Sequence, residues 1–123
     1  MSLKEETLFG LVDKVAMALE RIRHFEKQAL AMNPDGYFVA FSGGKDSIVV
    51  LDLIRRAGVK HTAHFHMTTV DPPELLDFIR KNYAGAVVWE RPEKSMFQLI
   101  VENRMPPTRV VRYCCYKLKE RGG

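Results

Sequence analysis

The sequence predicts an α/β fold built on a doubly wound, mostly parallel sheet, and three observations carry that prediction. From Tyr37 onward, short apolar runs of strand length alternate with segments of helical period. Glycine, proline and capping residues punctuate the junctions. The stretch FVAFSGGKDSIVV, Phe38 to Val50, passes from a strand-like run to a helix-like one across the small and polar residues Ser42 to Ser47. Strands joined by helices at these lengths imply right-handed crossovers and parallel neighbours.

Taken in order, Leu8, Val12, Val15, Leu19 and Ile22 recur at alternating spacings of four and three, and Phe25 and Ala29 extend the stripe. This predicts a long N-terminal amphipathic helix. Asn33-Pro34-Asp35-Gly36 ends it in turn chemistry. Tyr37 to Phe41 reads as the first strand. The helix expected over Ser47 to Ala57 has Arg55 and Arg56 in its last turn and Gly58 just past its end. His61 to Met67 is the second strand, and Asp71-Pro72-Pro73-Glu74 reads as an N-cap, first-turn prolines and a capping-box acid opening a helix to about Tyr83. AGAVVWE, Ala84 to Glu90, is the third strand, and Ser95 with Gln98 forms a second capping box for a helix ending before Met105-Pro106-Pro107. One domain of 123 residues is expected, with residues 1–35 as N-terminal helix and turn and 36–123 as the α/β core.

Composition narrows the function. The chain is 46% hydrophobic and 28% charged, and its longest apolar runs are far too short to span a bilayer. With no secretory leader in MSLKEETLFG, a cytoplasmic location is expected. The two cysteines, Cys114 and Cys115, are adjacent, which fits a reducing compartment rather than a disulfide framework. The net charge of +4 comes from scattered basic residues, so a small anionic ligand is expected as partner, and neither nucleic acid nor a membrane.

Ser42 to Ser47 supplies the groups such an anion needs. Gly43 and Gly44 allow backbone conformations closed to other residues and leave no Cβ in the way. The turn's N–H groups, the Ser42 and Ser47 hydroxyls, the Lys45 ammonium and the positive end of the following helix together suit phosphate or sulfate oxygens. Asp46 would repel the anion, so it either caps the helix or helps hold a magnesium ion on the ligand. The loop is not a Walker A motif, because Lys45 is followed by Asp46 rather than Ser or Thr.

SGGKDS after the first strand resembles the PP-loop of the adenine nucleotide α-hydrolase-like superfamily, a Rossmann-like fold. TTVDPPELLDFIRKNY after the second strand and RYCCYKLKE near the end are similar to the phosphoadenosine phosphosulfate (PAPS) reductase family. The resemblance implies that Ser42, Gly43, Gly44, Lys45, Asp46 and Ser47 hold the phosphate or sulfate end of an adenine nucleotide. It implies further that Thr68, Thr69 and Asp71 help bind the nucleoside, and that Arg109, Arg112 and Lys119 lie close to the anion. The function so implied is binding of PAPS or adenosine phosphosulfate for sulfuryl reduction or transfer. Two alternatives stay open: an ATP pyrophosphatase or adenylyltransferase splitting ATP between its α and β phosphates, with magnesium on the nucleotide, and a nucleotide-binding module without chemistry.

Departures from the family pattern bear on these expectations. Reductases of this kind act through a cysteine on a C-terminal tail, which LKERGG does not supply, so the chain reads as an N-terminal fragment or shortened member and catalysis stays open. The motif Thr68-Thr69-Val70-Asp71 replaces the Asp-Thr-Gly pattern of better-known reductases. Cys114 and Cys115 resemble the pair that supplies half the ligands of an iron–sulfur cluster in some members; such a cluster would have to be completed by another chain or segment, and two plain thiols are the favoured reading. No permanently bound cofactor is expected. His64 and His66 share one strand face and read as polar strand residues in preference to metal ligands. Finally, the family places a later strand beside Tyr37 to Phe41, so a homo-oligomer covering this apolar strand is expected unless the β-prone Thr108 to Tyr113 folds back over it.

Overall fold

The computed structural model describes residues 2–120, which divide into two compact units. The first comprises residues 2–39 with Lys45–Thr62, the second Ala40–Gly44 with residues 63–120.

The first unit opens with a feature the helical periodicity does not predict. Strands β1 (Lys4–Thr7) and β2 (Gly10–Asp13) form an antiparallel hairpin, pairing Lys4 with Asp13 and Thr7 with Gly10. Its tip, Leu8 and Phe9, is fully exposed. The expected single helix from Leu8 is therefore corrected to a hairpin followed by α1 (Lys14–His24) and α2 (Glu26–Met32), which part at Phe25. Two side chains decide this. Thr7 Oγ1 donates to the Gly10 carbonyl at 2.9 Å to close the hairpin, and Asp13 Oδ1 accepts the Val15 and Ala16 N–H groups at 3.0 and 3.3 Å, which starts α1 at Lys14. Leu8 and Val12 match a helical stripe in spacing only. Val15, Leu19 and Ile22 are half-buried, and α1 packs on α3.

The Asn33–Gly36 turn forms as expected: Asn33 Oδ1 accepts the Asp35 N–H at 2.9 Å and the Asn33 carbonyl accepts the Gly36 N–H at 2.9 Å. Gly36 has φ +80°, and a Cβ there would run into the Lys60 carbonyl, so the strand entry requires glycine. The Tyr37 hydroxyl donates to the Ile22 carbonyl at 2.6 Å and Arg23 Nε to the Ala57 carbonyl at 3.1 Å, tying α1 to both ends of the segment that follows. Helix α3 (Lys45–Ala57) buries Leu51, Ile54 and Ala57 and ends at Gly58, whose N–H donates to Arg55 O at 3.1 Å.

Strands β3 (Tyr37–Ala40), β4 (His61–His66) and β5 (Val88–Glu90) form one sheet in the order β3-β4-β5. The β4–β5 pair is parallel, with His64 opposite Val88 and His66 opposite Glu90. Along β3 and β4 the bonds Tyr37 N to Lys60 O (3.0 Å) and Phe41 N to His64 O (2.8 Å) advance in the same direction, so these strands are parallel too. The fold is thus an α/β arrangement on a parallel sheet, as the alternation of elements implies.

In the second unit Phe41, Ala63, Phe65, Ile79, Val87, Leu99 and Leu118 are buried. Phe65 meets Trp89 edge-on at 5.1 Å between centroids, and the Arg80 guanidinium lies 5.5 Å from the same indole. Helix α4 (Pro73–Asn82) has Pro72 at its N-cap, with no side-chain cap, so the expected Asp71–Glu74 capping box does not form. Asp71 turns instead to Thr68. By contrast, α5 (Met96–Asn103) opens with the expected box: Ser95 Oγ accepts the Gln98 N–H at 3.3 Å and Gln98 Oε1 accepts the Ser95 N–H at 2.8 Å. The third strand is shorter than predicted, because the Ala86 N–H turns back to the Tyr83 carbonyl at 3.1 Å. Thr108 to Tyr113 forms no strand; Thr108 and Val111 close a turn through two 3.0 Å bonds, and the chain continues into α6 (Tyr113–Cys115) and a π-helical turn, Tyr116–Glu120. No helix among the described residues is long and apolar enough to cross a membrane.

Candidate functional site

The connection from β3 to α3 is divided by its own stereochemistry. In the second unit, Gly43 has φ +76°, and a Cβ built on it would lie 2.7 Å from Leu75 Cδ1 and 3.0 Å from Ile79 Cδ1. This glycine is required by the packing of α4. Gly44 differs: the nearest atom to its virtual Cβ is Ser42 Oγ at 3.4 Å, so the space over Gly44 is open. The Gly44 N–H donates to Ser42 Oγ at 3.4 Å. In the first unit, Lys45, Asp46 and Ser47 form the first turn of α3, two residues before the predicted start, with Lys45 and Asp46 exposed. Asp46 is therefore not the N-cap; it lies inside the first turn, where a carboxylate complements the helix dipole. A 13-residue helix directs its first N–H groups out of its end, a donor arrangement suited to oxyanions.

After β4, Thr68 and Asp71 occupy each other. Asp71 Oδ2 accepts the Thr68 N–H at 2.7 Å and Oδ1 accepts the Thr68 hydroxyl at 2.8 Å. Thr69 has φ +68°, a left-handed conformation that a β-branched residue rarely adopts. Its Oγ1 accepts the Met96 N–H at 2.9 Å, fastening this turn to the start of α5. All three residues shape the turn through contacts within it or to α5.

His64 and His66 share a face, as the two-residue period requires, and both meet a residue that sequence reasoning missed. Glu90 Oε1 lies 2.5 Å from His64 Nδ1 and Glu90 Oε2 lies 3.4 Å from His66 Nδ1. The only sequence signal was the acid ending the third strand, and its register against His66 is set by the sheet. A cavity of 360 Å³ lies against this cluster, lined in part by His66, Glu90, Lys94, Leu99 and Lys117. Lys94 Nζ donates to Glu102 Oε1 at 2.6 Å, and that hydrogen bond and charge hold the Glu102 carboxyl below its ordinary range.

Arg112, Cys115 and Lys119 come together near the C-terminus, while Arg109 is exposed on the preceding turn. Arg112 Nη2 donates to Cys115 Sγ at 3.4 Å. The Tyr113 hydroxyl donates to the Met105 carbonyl at 2.6 Å, and burial pushes its pKa up. An iron–sulfur cluster of the family's type takes four cysteine ligands. The 123 residues contain two, and among the described residues no group of three or more His, Cys, Asp or Glu could hold a metal ion. Cys114 and Cys115 would supply two of those four ligands.

Neither the curated proteins nor the solved structures contain a match to this chain. A family model described as the phosphoadenosine phosphosulfate reductase domain matches residues 36–122, from the turn before β3 through the cysteine pair, and with most of its length so covered the chain belongs to the phosphoadenosine phosphosulfate reductase domain family.

Proposed function

We propose that this chain binds an adenine sulfonucleotide, PAPS or adenosine phosphosulfate, with the sulfate or phosphate end on Ser42 to Ser47, in support of sulfuryl reduction or transfer. The observation that carries the reading is the open space over Gly44, immediately before the first turn of α3. Family membership supports the ligand class. In this reading Lys45 meets the anion's charge, the loop and helix N–H groups meet its oxygens, and the Thr68–Asp71 pair holds the turn against which the nucleoside lies. The single domain and its doubly wound sheet belong to the same proposal. So does a second copy of the chain over β3, which has one strand neighbour among the described residues and leaves Phe38 half exposed.

Calorimetric titration with PAPS, adenosine phosphosulfate, ATP and 3′,5′-bisphosphoadenosine tests the assignment. A sulfonucleotide is expected to bind more tightly than ATP. Gly44→Val is expected to abolish binding while the far-UV spectrum and unfolding midpoint stay near those of the parent, because the branched side chain enters open space. Tighter binding of ATP would favour the pyrophosphatase alternative, and undiminished affinity in Gly44→Val would remove the loop from the site.

A further inference from the structure

The β1–β2 hairpin of the first unit takes no part in the nucleotide reading. It lies outside the stretch matched by the family model, which begins at residue 36. A two-stranded hairpin standing alone is marginally stable at best in water. All of β1 and the first half of β2 are exposed, and among the described residues the hairpin's extensive contacts run between its own two strands. Its tip presents Leu8 and Phe9 at 100% and 99% exposure, with Leu11 beside them at 70%. A groove of about 540 Å³ lies between the hairpin and α1, with Val12, Met17 and Ala18 as its apolar lining and Glu5, Lys14 and Arg21 as its charges. Glu5 pairs with Lys14 near the hairpin's base.

We propose that the hairpin is a self-association arm: the Leu8 and Phe9 tip of one chain seats in the groove lined by Val12, Met17 and Ala18 of a second copy, and the second copy's tip seats in the first. Charge selects this occupant. Lys4 against Glu5, Glu6 and Asp13 leaves the hairpin at −2, whereas Lys14, Arg21 and Arg23 against Glu20 leave α1 at +2. The arm of one chain is thus opposite in sign to the helix that receives it, and the exposed Glu6 and Arg21 are the pair brought together across the contact. The same acidity disfavours an anionic lipid surface.

Geometry and area agree with a second copy. The groove lies toward the hairpin's base, at Glu5 and Val12, which stand opposite each other one rung from its open end. A tip-to-base contact and its reciprocal lay two arms side by side in opposite directions, the arrangement a two-fold axis generates. One aromatic side chain carries about 150–250 Å², so Phe9 with Leu8, Leu11 and the half-exposed Met17 hides on the order of 500 Å² of apolar surface per copy. The contact then totals about 1,000 Å², the size at which specific interfaces begin, and a contact of that size is reversible and concentration-dependent. This inference is independent of the nucleotide assignment and shares no residue with the second copy proposed over β3.

Sedimentation velocity over a range of micromolar concentrations tests it, in a Phe38→Ser background that removes the exposed aromatic of β3 and so separates the two contacts. Self-association is expected to persist in that background and to weaken about tenfold or more when Phe9→Ser is added, while Phe9→Leu retains most of it. Circular dichroism should show the Phe9 variants folded, because that side chain touches little of its own chain. Arg21→Glu is expected to weaken association, and adding Glu6→Arg to restore it. On the parent chain, carbodiimide cross-linking of a mixture of isotopically light and heavy copies is expected to join Glu5 or Glu6 of one copy to Lys14 of the other. Should Phe38→Ser fail to fold, that cross-link decides. A monomer throughout, an affinity untouched by Phe9→Ser, or links confined to chains of one isotope would overturn the proposal. So would a monomer whose tip instead binds phosphatidylcholine vesicles, which would assign the arm to a lipid surface.

Discussion

Gly43→Ala isolates what the fold itself demands of the loop. Two effects add at this position. A side chain at φ +76° occupies the left-handed region, which costs an L-residue about 1–2 kcal/mol. The new methyl would also stand 2.7 Å from Leu75 Cδ1 and 3.0 Å from Ile79 Cδ1, and Ile79 is fully buried, so the neighbours have little room to move. Overpacking of this kind costs about 1–3 kcal/mol. The expected loss is about 2–5 kcal/mol, a large part of the roughly 5–15 kcal/mol that holds a typical domain folded. Urea unfolding followed by circular dichroism should show the midpoint falling by about 1–2.5 M at a slope of about 2 kcal/mol/M, the middle of the range for small proteins. Gly44→Ala is the control, with a change under about 1 kcal/mol, because its Cβ meets only Ser42 Oγ at 3.4 Å. In a Leu75→Ala background the steric part of the Gly43→Ala loss should shrink to the Ile79 contact, leaving that and the backbone part. A Gly43→Ala variant as stable as the parent, or a Gly44→Ala variant equally damaged, would refute this division of labour between the two glycines.

Three further outcomes are expected. Lys45→Ala should weaken nucleotide binding by about 1–3 kcal/mol, the range for a hydrogen bond to a charged group, and titrations at rising salt should show the deficit narrowing; a salt-independent loss would point to packing. Thr69→Gly should be more stable than Thr69→Ala by about 1 kcal/mol, since both lose the bond to Met96 but only glycine is relieved at φ +68°, and thermal unfolding giving the opposite order would show that the turn is not strained. The Glu102 carboxyl titrates below its ordinary range because Lys94 donates to it, so its contribution to stability is present above the unfolded-state value and is lost as pH falls through the folded value. Lys94→Met should move that titration up, as followed by carboxyl NMR, and an unmoved curve would break the pairing.

Legibility in the sequence followed the range of the contacts involved. The Asn33–Gly36 turn, the end of α3 at Gly58 and the Ser95–Gln98 box were readable because donor and acceptor lie within four residues and have no nearby competitor. Asp71 shows how competition defeats the same reasoning. Its carboxylate could cap α4 or hold Thr68, and the structure uses both oxygens on Thr68. The hairpin at Lys4–Asp13 was hidden for a different reason, since Leu8 and Val12 happen to satisfy a helical spacing while the strand pairing runs across a ten-residue stretch. Glu90 was invisible because its role depends on register: nothing local to VWE says that it will stand opposite His66. The loop's residues were legible, but the different duties of Gly43 and Gly44 were not, because Leu75 and Ile79 reach the loop from a helix some thirty residues on.

The turns that follow β3 and β4 solve one geometric problem in two ways. β3 ends at Ala40 and β4 at His66, and in each case the third residue beyond, Gly43 or Thr69, is left-handed. After β3 the chain uses the residue without a side chain, and α4 packs Leu75 and Ile79 into the space a Cβ would take. After β4 it keeps a threonine, at a conformational cost of about 1–2 kcal/mol, and the hydroxyl so positioned accepts the first N–H of α5. That bond contributes about 0.5–1.5 kcal/mol and satisfies a donor that the helix itself leaves without an acceptor. The strain and the bond nearly offset each other, so what Thr69 provides is attachment rather than net stability. The Thr68–Asp71 pair holds the residue before it, and Met96 holds Thr69 itself, which makes the turn after β4 a rigid piece whose position is shared with the start of α5. In the proposed reading, a nucleoside lying against this turn would therefore meet a surface set in advance by the Thr68–Asp71 pair and by α5 through Met96, and its binding would not have to order the loop.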